Sequence, residues 1–151
     1  MDIDRASRYM SKGYTCAESV LRAVSEEYGI EMEHPHVAMG FGGGMGFMGE
    51  FCGAMTGAVM AIGLVKGQGQ NPEDLQKTMP LVQELRRRFE TEMKTSRCRE
   101  LTGIDLTKPG GLETLIESGI SDRVCVPAVD TAYRIVMEFL KASDQAHVEA
   151  Q

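Results

Sequence analysis

The sequence predicts an all-α protein, a compact bundle of about five helices around a buried, glycine-rich central helix. Three observations predict it. Apolar residues recur at helical spacing along most of the chain, and no stretch alternates as a strand does. Cap and stop residues bracket the periodic segments. A glycine-rich loop beginning at Gly42 runs into an almost uncharged stretch that ends near Gly63, with Gly53, Gly57 and Ala61 spaced by four. Small residues at that spacing make a smooth helix face against which another backbone can pack closely.

In order, Asp2 to Ser11 carries Ile3, Ala6 and Met10 on one face, a short first helix ended by Lys12-Gly13. Thr15-Cys16-Ala17-Glu18 has the form of a capping box. The helix it opens runs to about Tyr28, with Ala17, Val20, Leu21, Val24 and Tyr28 inward and Gly29 closing it. Glu31 to His36 is a polar connection, and Val37 to Phe41 a brief apolar piece before the glycine loop. The central helix is expected from about Gly49 to Val65, followed by a turn from Lys66 to Gln70. Asn71-Pro72 then serves as cap and first residue of a helix whose stripe is Leu75, Met79, Val82, Leu85, Phe89 and Met93, kinked or restarted at Pro80. Cys98 to Gly103 reads as a short helix capped by Ser96, Leu112 to Glu117 as one or two turns, and Val126 to Leu140 as the last long helix. Residues 1–151 are expected to form one domain, with the polar tail after about Ser143 frayed.

Composition narrows the function. Net charge is −6 and the pI about 5.1, which leaves no basic footprint for nucleic acid. Arg86-Arg87-Arg88 is the one basic run, and Glu84 and Glu90 beside it make it a solvated helix face. No basic region followed by an apolar run opens the chain, so no secretory signal is expected. Phe51 to Val65 is uncharged, but it is shorter than the roughly 20 residues that cross a bilayer, and Glu50 and Lys66 bound it. The expectation is a cytoplasmic protein without a membrane span. In that compartment four cysteines point to metal or redox chemistry rather than structural disulfides.

Cys16, Cys52, Cys98 and Cys125 are widely spaced, and none forms a Cys-x-x-Cys pair, so zinc-ribbon and ferredoxin templates fail. Their contexts say more. Each falls at or near the expected N-terminus of a helix, where free amides and the helix dipole favour thiolate. Each terminus is worth on the order of 0.3–1 kcal/mol, up to about 2 when partly buried, against about 1.4 kcal/mol per pKa unit. The expectation is that the four thiols meet in one redox-active site, with Arg97 and Arg99 lowering the pKa of Cys98. The bland alternative treats each cysteine as a small buried hydrophobe.

Several motifs carry a resemblance: Tyr14-Thr15-Cys16-Ala17-Glu18-Ser19-Val20; Phe41-Gly42-Gly43-Gly44; Cys52-Gly53-Ala54-Met55-Thr56-Gly57 with Met60-Ala61-Ile62-Gly63-Leu64; Cys98-Arg99-Glu100-Leu101-Thr102-Gly103; and Cys125. With these the chain resembles the redox-active protein family named for its cysteine pattern, C_GCAxxG_C_C, over nearly its whole length. The family name spells Gly-Cys-Ala where this chain has Cys52 before Gly53. The resemblance implies that Cys16, Cys52, Cys98 and Cys125 are the redox or metal-binding residues, and it implies no substrate.

Four chemistries remain open at this level. The first is a four-thiolate iron–sulfur centre for electron transfer with an unknown donor or acceptor protein. Gly43, Gly44, Gly53 and Gly57 would give it close backbone approach and amide donors. The second is a metal-free dithiol/disulfide protein using Cys52 and one partner thiol. The third is a structural zinc site, and the fourth a scaffold in which the cysteines merely pack. Gly44-x-Gly46-x-x-Gly49 lacks the preceding strand of a nucleotide fingerprint. His34 and His36 read as loop residues before metal ligands, and His147 is assigned nothing. Met45, Met48 and Met55 are expected to line the site, and Glu50 or Glu100 to shuttle a proton or to partner a helix dipole. The glycine face also suits packing between two chains, a homodimer.

Overall fold

The computed structural model describes residues 2–34, 36–67 and 72–149, with side chains through residue 145. The fold is all-α, and the described residues contain no strand. Seven α-helices follow in order: α1 (Arg5–Met10), α2 (Cys16–Glu27), α3 (Gly53–Lys66), α4 (Pro72–Met93), α5 (Cys98–Thr102), α6 (Gly111–Glu117) and α7 (Val126–Glu149). A 3-10 turn at Met39–Phe41 precedes the glycine loop, and one turn of π-helix at Ser121–Cys125 leads into α7. Four helices are long and three short, where the sequence suggested about five in all.

The capping box opens α2 as expected: the Thr15 side chain accepts from the Glu18 amide at 3.3 Å and Glu18 takes the Thr15 amide at 2.9 Å. The inner face of α2, with Ala17, Val20, Leu21 and Val24 buried, lies on α3. Gly57 is what permits this. A methyl group there would stand 2.3 Å from the Ala17 carbonyl oxygen, and one at Gly53 would stand 3.2 Å from Cys16 Cβ. The small-residue face therefore pairs α3 with the start of α2, within the chain. The buried stripe of α7, including Val129, Tyr133, Val136 and Leu140, closes the core against α2, α3 and α4.

Two expectations are corrected. The central helix begins at Gly53, four residues late, because Gly49 is left-handed (φ 74°) and Phe51 pairs in an isolated antiparallel bridge with Arg97. The stripe of α4 is buried only at Leu85 and Phe89; Leu75 and Met79 are exposed, and the helix runs through Pro80 without ending. Helix α7 extends to Glu149, and the Asp144 carboxylate accepts from Tyr28 and Lys66 at 2.8 Å each. The expected cap Asn71, the turn at 68–70, Pro35 and the side chain of His147 lie outside the described residues.

Candidate functional site

The four cysteines enter from four separate places. Cys16 is the first residue of α2, behind the Thr15 cap. Cys52 is the residue before α3 rather than part of its first turn, and its amide donates to the Ser96 carbonyl at 2.7 Å. Cys98 is the first residue of α5, and its amide donates to the Glu50 carbonyl at 2.7 Å. These two bonds flank the Phe51–Arg97 bridge and hold the Cys52 and Cys98 backbones side by side. Ser96 is not the cap of α5: Arg97 occupies that position, and the Ser96 hydroxyl is spent on Glu90 at 2.5 Å. Cys125 ends the π turn before α7.

All four line one pocket, together with Gly43, Gly53, Leu101, Thr102, Val124 and Ala128. It sits on the seam between two apolar clusters. Cys52 belongs to the main core with Cys16 packed against it, and Cys98 belongs to a smaller cluster with Leu106 and Leu115, with Cys125 packed against that. The cavity is about 10 Å³, room for roughly one water-sized body.

The glycine loop builds one wall by an unusual route. Gly43, Gly44, Met45, Gly46 and Phe47 are all left-handed, with φ between 61° and 72°. Such a run costs roughly 1–2 kcal/mol for each residue with a side chain, here Met45 and Phe47. Gly44 is needed beyond its φ, because a methyl group there would meet Cys98 Cβ at 2.7 Å and the Glu50 amide nitrogen at 2.6 Å. Gly43 and Gly53 thus line the pocket, whereas Gly44 and Gly57 act one layer behind it, against Cys98 and Ala17.

The electrostatics differ from the expectation of four dipole-stabilised thiolates. Burial pushes Cys52 up to about 11, against backbone amides of Ala54 and Met55 that favour its thiolate. Burial pushes Cys98 up to about 12, reinforced by Cys52 and Cys125. Arg97 and Arg99 do not counter this: Arg97 is paired with Glu50 at 2.8 Å and Arg99 with Asp105 at 3.0 Å, both at the surface. Cys16 and Cys125 act on each other as a close pair: that interaction, then burial, raises Cys16 above the ordinary thiol range. The same interaction works to lower Cys125, against its own burial. Desolvation therefore outweighs the helix termini at Cys52 and Cys98, and the interaction between Cys16 and Cys125 dominates at the other two.

The other candidates are placed elsewhere. Met45 and Met48 are exposed and Met55 is buried in the core, so none lines the pocket. Glu50 is held by Arg97 and Glu100 by the Thr95 hydroxyl. His36 lies 2.7 Å from the Glu18 carboxylate and stacks on Tyr14. Burial works to raise Glu18, but the bonds from Thr15 and His36 outweigh it and hold the carboxyl below its usual 4.5. The sequence reading did not link His36 to the capping box; an acid just inside a helix and a histidine on the following loop were the available signal. Thr102 and Val124 were not singled out as pocket residues either, and no motif marks them.

Among the described residues no three His, Cys, Asp or Glu side chains converge closely enough to hold a metal ion. No helix among them is long and apolar enough to cross a membrane. Neither a curated protein nor a solved structure matches the chain. A family does: the sequence model described as "Putative redox-active protein (C_GCAxxG_C_C)" matches residues 14–139, from the residue before the Thr15 cap to the last turns of the α7 core stripe. With that match covering all four pocket cysteines, the chain belongs to the C_GCAxxG_C_C family of redox-active proteins.

Proposed function

We propose that the protein is a thiol–disulfide redox protein whose working pair is Cys125 and Cys16. The observation that carries this reading is the lining of one small pocket by all four cysteines, within which Cys16 and Cys125 are the directly interacting pair, an interaction that raises Cys16 and works to lower Cys125. The thiolate is the attacking species in disulfide exchange.

In the oxidising direction for the protein, the Cys125 thiolate attacks one sulfur of a partner protein's disulfide. A mixed disulfide forms and the partner's other sulfur leaves as thiolate. Cys16 then gives up its proton, to that leaving thiolate or to water, and its sulfur attacks Cys125. The Cys16–Cys125 disulfide forms and the partner's second thiolate departs, taking up a proton. Two electrons pass from the pair to the partner, and the reverse sequence returns them. Cys52 and Cys98, protonated and buried, keep the pocket dry, while Gly43 and Gly53 leave its wall free of side chains.

A second reading, an iron–sulfur or zinc centre, is favoured by the lining of one pocket with four cysteines. The donors do not fit it as they stand. Among the described residues no three converge closely enough to hold a metal ion, and three of the four thiols resist deprotonation.

The test is anaerobic purification, metal and sulfide analysis, then mild oxidation with diamide and peptide mapping under non-reducing conditions. The expected product is a Cys16–Cys125 disulfide that is reversed by dithiothreitol and absent in Cys125→Ser. Stoichiometric iron and sulfide, with all four thiols protected until chelation, would reject the dithiol reading in favour of the cluster.

A further inference from the structure

We infer that a second cleft, formed by α1, the later part of α2 and the chain that follows it, binds a carboxylate carried on a small apolar body. Tyr9, Arg22, Ser25, Glu26, Ile30 and Met32 line it, and it shares no residue with the cysteine pocket. Its volume is about 350 Å³, within the range of small-molecule sites.

Arg22 supplies the chemistry. Its guanidinium is braced 4.0 Å over the Tyr14 ring and 6.0 Å from the Tyr9 ring. Arg5, Arg8, Arg86, Arg87, Arg88, Arg97, Arg99 and Arg134 each hold a carboxylate, whereas Arg22 has none among the described residues. Its guanidinium is a planar fork of donors whose geometry a carboxylate matches. Stacking on Tyr14 orders the side chain beforehand, which lowers the cost of binding.

The rest of the wall selects among anions. Glu26 also lines the cleft, its charge partly compensated by the Tyr9 hydroxyl at 3.0 Å and Arg5 at 3.3 Å. A dianion such as a phosphate ester would be repelled by it more than a carboxylate. The Ser25 hydroxyl is already committed to the Leu21 carbonyl at 2.8 Å and to Met32 sulfur, so it is not a free donor. Ile30 and Met32 offer apolar surface for the ligand's body. Lys12, 5.2 Å from the Tyr9 ring, adds positive charge close by.

The experiment is chemical-shift titration of the full-length, 15N-labelled protein with benzoate, benzamide and phenylphosphonate. Benzoate should produce saturable shifts at the Ser25, Ile30 and Met32 amides, with benzamide and phenylphosphonate each at least about tenfold weaker. Arg22→Gln should weaken benzoate by at least about tenfold, with amides of the α3–α7 core unshifted. Arg22→Lys, which keeps the charge and loses the fork, should weaken it nearly as much, and it decides the matter if the Gln variant misfolds. Equal binding of benzoate and benzamide would overturn the inference. So would unchanged benzoate affinity in the variants, shifts confined to another surface, or no saturable shift at millimolar benzoate.

Discussion

Cys52 and Cys98 are each 6% exposed and anchored by backbone bonds beside an isolated bridge, whereas Cys16 and Cys125 are half-buried and interact with each other. The four share a pocket of one water's volume and still differ in kind. Removing a thiolate from water is unfavourable, and for the first pair nothing offsets it fully. For Cys125 its interaction with Cys16 works the other way. The contrast between the pairs therefore follows burial and sulfur–sulfur proximity more than position at a helix start.

The widest separation should appear in alkylation. At pH 8 a thiol with a pKa near 11 is thiolate about once in a thousand molecules, and one below 9 at least about a hundredfold more often. Mass spectrometry of a short iodoacetamide time course should find Cys125 modified first and Cys52 and Cys98 last by roughly two orders of magnitude. Equal rates at all four would erase the contrast between the pairs.

Next in size is Gly57→Ala. The added methyl meets the Ala17 carbonyl at 2.3 Å, so α2 and α3 must separate and carry Cys16 away from Cys125. A loss of about 1–3 kcal/mol is expected, read from urea unfolding. Cys125 alkylation should also slow, and a stable protein with unchanged Cys125 reactivity would uncouple the helix face from the site.

Cys16→Ala removes the partner sulfur alone. The pH midpoint for Cys125 alkylation should rise and its rate at neutral pH should fall, while Cys16→Ser should retain most of the wild-type behaviour. A midpoint that stays put in the Ala variant would show that another group lowers Cys125.

Stability toward base sharpens the comparison from the other side. Cys52 and Cys98 keep their protons in the fold above the ordinary thiol value of 9.0, so the folded state binds more protons than the unfolded one from there upward. Stability is intact below about pH 9 and falls as pH rises toward 12. Cys98→Ala should flatten that fall relative to wild type in denaturant titrations at several pH values. Smallest of all, Arg97→Gln with Arg99→Gln should leave Cys98 alkylation within about twofold, since both arginines are paired at the surface.

Much of this was legible in the chain. Helical periodicity, the Thr15–Glu18 box, the Gly53–Gly57 face and Gly29 after α2 are local signals, and local hydrogen bonds and sterics suffice to realise them. The meeting of the four cysteines was legible as a pattern, because four widely spaced thiols at element boundaries pointed to one site. Their inequality was not. It depends on burial and on the closeness of two sulfurs, one on α2 and one on the turn before α7, and sequence spacing encodes neither. Arg97 and Arg99 show the same limit: adjacent to Cys98 in sequence, they face carboxylates at the surface.

The sequence by itself determined an all-α fold, a helix pair that can touch backbone to backbone, and which residues could bear the chemistry. Tertiary structure alone decided that the glycine loop winds left-handed, that Cys52 precedes its helix, and that Cys16 and Cys125 form the interacting pair. The physical reason is that desolvation and sulfur–sulfur proximity are properties of a closed pocket, and that pocket exists only once α2, α3, α5 and the turn into α7 have packed.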